Sequence, residues 1–292
     1  MLTPVNQWQG LGWGVLAVGL YLTIAVTAAS VLAWLLEGVL SVSYDKILSR
    51  GVLLFAALGL VPLVRMSALS PREMGLRPVV VRDAVRAFPL GLVALLPLIL
   101  VFIVTGFRVI DDRVVYIGDV FLGWVAVALI GALLVGWFEE TLFRGVLFSV
   151  LCERIGVRAA AVSVGLIYAF VHFLQTEPIA HEVQWNSGYS QIGLALQQAF
   201  DWSRHWESFL TLFLLGLFFC WIKVRVGLWY AIGLHAGFVF GIRLFKEITV
   251  RDVVNPYQMF VGSYDNFVGH LASFWLLFIF VVIALHQRWV TQ

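Results

Sequence analysis

Eight runs of apolar residues divide the chain, at 12–36, 51–69, 88–107, 120–152, 157–175, 208–222, 226–245 and 270–287. A spanning helix needs about 20 mainly apolar residues, because in hydrocarbon a helix satisfies its own backbone polar groups. The pattern therefore predicts an all-α, polytopic membrane protein: about eight transmembrane helices forming one bundle with a polar intramembrane cavity. The first run has no Lys or Arg before it and is too long for a secretion-signal core, so it reads as a retained helix. Long connections at 37–50, 108–119, 174–207 and 246–269 fall on one side of the bundle. The 174–207 stretch, which contains EVQWNSGYSQ, reads as an interfacial loop or lid anchored by Trp185 and Trp202. With no internal repeat or low-complexity tract, residues 1–292 read as a single membrane domain.

Composition agrees. The 292 residues are 61% hydrophobic and 12% charged, with mean hydropathy +0.95. Soluble domains are roughly half apolar and about a quarter charged. A net charge of +2 without a basic run gives nucleic acid nothing to bind. Cys152 and Cys220 lie far apart in apolar surroundings, without CxxC spacing, and read as small buried hydrophobes. Positive charge sets the orientation. Arg72, Arg77, Arg82 and Arg86 precede the third run; Arg154 with Arg158, Lys223 with Arg225, and Arg288 mark the same side. Placing them in the cytoplasm puts both termini there, and the short loops suit a bacterial inner membrane.

One stretch breaks the apolar pattern. In GWFEETLFRG, residues 136–145, nineteen uncharged residues run into Glu139 and Glu140, and Arg144 follows four positions later. Ionisable groups at bilayer depth cost about 2.5–3.5 kcal/mol each on insertion scales and mark functional sites by default. Glu140 and Arg144 share a helix face and can neutralise each other. Glu139 points about 100° away and is the acid left for chemistry. The cluster Glu153, Arg154, Gly156 and Arg158 marks a tight turn, with Glu139 and His172 each roughly 24 Å from it on opposite arms. His235 sits at mid-depth in YAIGLHAGFVFG, off the stripe of Gly233, Gly237 and Gly241 that suits close helix packing. An acid and two imidazoles thus converge at one depth from three helices.

These residues resemble the CPBP family, the CAAX proteases and bacteriocin-processing proteins that include the Ras-converting prenyl endopeptidase. EETLFRG fits its EExxxR motif, His172 and His235 fit its two later histidines, and SPREMGLRP resembles an element before its core. The resemblance covers about 70–245 and implies an intramembrane endopeptidase of glutamic type. Glu139 would be the general base, His172 would help hold the attacking water, and His235 would face the oxyanion. Glu140 and Arg144 would brace the helix. The implied substrate is a membrane-anchored protein or peptide, cut near its terminus within the bilayer. Two positions depart from the pattern. Tyr168 replaces the phenylalanine of FxxxH and brings a hydroxyl within reach of Glu139 or His172. Val239 stands where the family carries Asn or Asp four residues after its last histidine, and Arg243 is a substitute donor one turn further on. Val239 keeps open a catalytically silent relative that acts as a membrane scaffold, chaperone or bacteriocin-immunity protein. No cofactor is expected; zinc held by the glutamates and histidines is the alternative.

Overall fold

The computed structural model describes residues 4–37, 39–40, 42–66, 69–112, 118–179, 182–262 and 264–290. Helices α1 (Pro4–Leu36), α2 (Tyr44–Met66) and α3 (Val81–Val104) come first. A strand β1 (Arg108–Ile110) precedes α4 (Gly118–Glu140), a π-helical turn (Thr141–Leu147) and α5 (Phe148–Ile155). Then follow α6 (Val157–His172), α7 (Ser187–Ala199), α8 (Trp202–Arg225), α9 (Leu228–Ile248), β2 (Thr249–Arg251) and α10 (His270–Val290).

Among the described residues four segments are long and apolar enough to cross a membrane: Val81–Val104, Phe121–Ile155, His205–Arg225 and Leu228–Ile248. Leu20–Leu36, Val157–His172 and His270–Ile283 are shorter apolar helices. The architecture is that of an all-α integral membrane protein. Among the described residues β1 and β2 form a two-stranded antiparallel ladder, in which Arg108 faces Arg251 and Ile110 faces Thr249. It ties the connection after α3 to the one after α9. Arg108, buried among apolar neighbours, donates from Nε to Thr249 Oγ1 and from Nη2 to the Thr249 carbonyl, both at 2.7 Å.

The chain gathers into two compact units. One comprises Ala68–Val171 and Trp202–Gln292, the other Met1–Ser67 and His172–Asp201. The stretch 70–245 expected as the family core therefore contributes to both.

In the larger unit α9 is the central element, packed against both α3 and α4. The glycine stripe makes this approach possible. A Cβ at Gly233 would overlap the Ala84 carbonyl, and one at Gly237 the Phe88 carbonyl, so α3 and α9 touch backbone to backbone. On an adjacent face of α9, about 100° round the helix, a Cβ at Gly136 of α4 would stand 2.9 Å from the Ala236 nitrogen. Around these contacts Leu95, Leu98, Phe102, Phe219, Leu234 and Phe238 form the main apolar core. Gly156, at φ 79°, forms the sharp turn between α5 and α6 that the charged cluster predicts.

The smaller unit joins α1, α2 and α7. Here the 174–207 stretch departs from the expected loop, because residues 187–199 form a helix. Its buried face is Ser187, Gly188, Gln191, Ala195 and Ala199, small or polar residues at helical spacing that no hydropathy window picks out. Ser30 is the hub beneath it. The Ser30 hydroxyl accepts from the Gly188 amide at 3.0 Å and lies 2.7 Å from the Tyr44 hydroxyl and 2.5 Å from the Trp185 carbonyl.

Candidate active site

The two glutamates close α4, and the backbone changes immediately after them. Thr141–Leu147 form a π turn, with the Phe148 amide donating to the Phe143 carbonyl five residues back. Such i→i+5 turns are rare and occur often at functional sites. The wider turn brings position 144 round beneath position 140. Arg144 Nη1 donates to Glu140 Oε1 at 2.9 Å, and both side chains are fully buried. The expected pairing of Glu140 with Arg144 is therefore present.

Further contacts hold the guanidinium, among them the Phe143 ring at 5.8 Å. Nη2 donates to the Gly216 carbonyl of α8 at 3.3 Å. The Tyr168 ring lies under Arg144 Cζ at 4.3 Å and the Phe219 ring at 5.3 Å. A desolvated cation over an aromatic face gains about 2 kcal/mol, which offsets part of the cost of taking the ion out of water. Gly216 reaches this position because α8 passes α6 at a glycine pair: a Cβ at Gly216 would be 2.7 Å from the Gly165 Cα.

Glu140 has a second partner. His235 Nδ1 is 2.8 Å from the same Oε1, and the imidazole is 4% exposed. Phe219 stacks on the imidazole with centroids 4.8 Å apart and planes 23° apart. The other imidazole nitrogen, Nε2, lies 3.9 Å from Glu139 Oε2. Glu139 has 23% of its side chain exposed, although the Oε2 that faces His235 is itself buried, whereas Glu140 is fully sealed. The Tyr168 hydroxyl hydrogen-bonds to the Glu139 carboxyl. That contact realises one of the two roles foreseen for the hydroxyl that Phe lacks.

The structure thus brings Glu139, Glu140, Arg144, Tyr168 and His235 together within the larger unit. His172 is the last residue of α6, half-buried, one turn after Tyr168 and on the same face; it is also the first residue of the smaller unit's second segment. Tyr168 packs edge-on against Phe143 at 5.2 Å, so α6 runs back along the α4–α5 arm at this level. Arg243 sits elsewhere than the donor role requires. Its Nη1 lies against Gly131, eight residues before Glu139 and hence about 12 Å away along α4. Val239 is half-buried on α9, one turn past His235. Among the described residues no group of three His, Cys, Asp or Glu side chains is arranged to hold a metal ion. Sequence reasoning missed Phe219 and Gly216. With 23 phenylalanines and 26 glycines in the chain, neither residue stands out.

Residues 121–241 match the family described as Type II CAAX prenyl endopeptidase Rce1-like. The matched segment runs from the start of the α4 span to the glycine stripe of α9 and contains every side chain of the cluster. No curated protein and no solved structure matches. Over residues 121–241 the chain is thus similar to the Rce1-like family of type II CAAX prenyl endopeptidases.

Proposed function

We propose that the protein is an intramembrane endopeptidase that hydrolyses a peptide bond near the terminus of a membrane-anchored protein or peptide, using water activated by glutamate and histidine. The observation that carries this reading is the pairing of a partly open Glu139 with His235 Nε2 at 3.9 Å, beside a sealed Glu140–Arg144 pair. Ions buried at bilayer depth are expensive, and chemistry gives a reason to keep them there. Glu139 is the general base: it takes a proton from water as the oxygen attacks the scissile carbonyl, then gives it to the leaving amine. His172, one turn beyond Tyr168, is the second water ligand. No covalent intermediate and no metal takes part.

The protein sits in a bacterial inner membrane with both termini in the cytoplasm, as the Lys and Arg positions favour; strong activity of a periplasm-only reporter fused after Gln292 would refute that orientation. The reaction is tested by comparing wild type, Glu139→Gln and Glu140→Gln at matched folded level, following membrane-anchored candidate substrates in cells. The proposal expects uncut precursor to accumulate with Glu139→Gln. If Glu139→Gln behaves as wild type while deletion of the protein has an effect, the chain acts by binding, and the scaffold reading that Val239 keeps open replaces the enzyme.

A further inference from the structure

We propose that Arg243 binds the C-terminal carboxylate of the substrate, so that the enzyme measures its cut from the end of the substrate chain. This deepens the peptidase reading and rests on it: it names which end of the substrate is recognised and the residue that recognises it.

Four cations gather at the C-terminal end of α9: Arg243, Lys246, and Arg108 with Arg251 of the strand ladder. Three of them are committed to the protein. Lys246 Nζ donates to Asp265 Oδ2 at 2.6 Å. Arg108 donates to the side chain and the carbonyl of Thr249, each at 2.7 Å. Arg251 Nε donates to Gln258 Oε1 at 2.7 Å. Arg243 differs. Its side chain is exposed, and among the described residues no carboxylate pairs with it. An arginine near a helix end ordinarily extends its head to water. This one is laid across the seam between α9 and α4, where a Cβ at Gly131 would overlap Nη1 and stand 3.2 Å from Cζ. Gly131 is the notch that receives the guanidinium.

The same seam carries the reacting groups. Glu139 faces His235 across these two helices. Glu139 lies eight residues after Gly131, and His235 lies eight residues before Arg243. At 1.5 Å per residue, either helix gives a separation of about 12 Å. Eight residues also rotate a helix by only about 80° beyond two full turns, so both ends stay within a quarter-turn of one face. Between them Val135 and Val239, one turn from Glu139 and His235, are half-buried. An extended peptide advances about 3.3 Å per residue. With its scissile carbonyl at Glu139, such a peptide brings its terminus to the guanidinium after about three to four residues. A planar guanidinium holds a carboxylate through two parallel N–H···O bonds, which an amide cannot match. The sign of the charge decides the polarity: a C-terminal carboxylate is attracted and an N-terminal ammonium is repelled.

The test uses the full chain in lipid nanodiscs and a lipid-anchored peptide library, randomised over its last few residues and made both as the C-terminal acid and as the carboxamide. Mass spectrometry reads the released fragments. Wild type is expected to release fragments of about three to four residues. It should favour acid over amide on the order of 10- to 100-fold in kcat/KM, as hydrogen bonds to a charged group allow. Arg243→Gln is expected to cleave the acid no faster than the amide, and Arg243→Lys to restore part of the preference. The acid-to-amide ratio is a readout that a merely structural role would not move, since damage to the site slows both peptides together. Fragments of scattered length, a wild-type ratio near one, or a preference that survives Arg243→Gln overturns the inference and leaves the guanidinium to lipid phosphates. Failure of the peptidase reading looks different: Glu139→Gln then releases fragments as wild type does, or wild type releases none. In the second case, binding of the two peptides followed by fluorescence transfer still decides the role of Arg243. Tighter binding of the acid that is lost in Arg243→Gln supports it, and equal binding overturns it.

Discussion

Replacing the α9 glycines by alanine tests whether the site depends on backbone contact between helices. At Gly233 an added Cβ would lie 2.6 Å from the Ala84 Cα and carbonyl carbon. That is about 0.9 Å short of an ordinary carbon contact of roughly 3.5 Å. At Gly237 the shortfall is about 0.4 Å, against the Gly91 Cα at 3.1 Å, and the Phe88 carbonyl oxygen is closer still. The obstacles are backbone atoms of α3 and do not rotate away. A shift of α9 would also disturb its close contact with α4 at Gly136, on the adjacent face. Overpacking costs about 1–3 kcal/mol, and a clash with backbone that cannot rotate away belongs at the upper end. Alanine recovers up to about 1 kcal/mol of helix propensity, leaving a net loss of roughly 2 kcal/mol. At Gly241 the obstacles are the tips of Leu92 and Leu95, at 3.1 and 3.0 Å, and side-chain tips can turn aside. There the propensity gain roughly cancels the cost. Unfolding in mild detergent, followed by heat or denaturant titration, should rank Gly233→Ala and Gly237→Ala well below Gly241→Ala. Cleavage should fall with them, because His235 lies between the first two glycines and its 2.8 Å bond to Glu140 has little tolerance. Equal stability across all three variants would refute the backbone-contact argument.

Two further outcomes follow from the same geometry. Arg144→Gln leaves Glu140 buried without its cation and should cost about 3–5 kcal/mol, whereas the Glu140→Met/Arg144→Met pair should cost much less; a double-mutant cycle in detergent measures the coupling, and additive losses would show that the pair is not coupled. Dialysis against a strong chelator should leave peptide hydrolysis unchanged, since the reaction proposed runs on Glu139, His172 and His235; loss of activity that zinc restores would replace this mechanism with a metal-bound water.

What the sequence made legible was what polarity and spacing record. Buried charge in an apolar run located Glu139, Glu140 and Arg144, and the four-residue interval named the correct ion pair. The glycine stripe at 233, 237 and 241 located the packing face of α9, and the turn at Gly156 set the direction of α6. Contacts that depend on shape were hidden. Helix α7 buries Ser187, Gln191 and alanines, so it has no hydrophobic stripe to read. The π turn at 141–147 has no composition signal, yet it seats Arg144 under Glu140. The second partner of Glu140 was also out of reach, because which imidazole nitrogen meets which carboxylate depends on the rotation of α9 against α4. Arg243 shows the opposite error: it lies on a suitable face by spacing, but its guanidinium extends to Gly131.

Val239 then sets how fast this chain can run. With His235 facing the oxyanion, the second donor expected from the family pattern, Asn or Asp four residues later, is here a valine. One missing oxyanion donor typically costs about 10²–10³ in rate. Val239 lies one turn beyond His235 on α9 and is half-buried, so an asparagine there reaches the same side of the helix without breaking the α3 contact at Gly237. Val239→Asn is therefore expected to raise kcat by at least tenfold, a lower bound set by the penalty for placing an amide in an apolar helix, with KM little changed. The gain should vanish in a Glu139→Gln background, since a better oxyanion site is useless without an activated water. Single-turnover cleavage of one defined membrane-anchored substrate by the four proteins separates these effects. A Val239→Asn enzyme no faster than wild type, yet equally stable, would mean that another donor already serves the oxyanion and that the valine is no handicap.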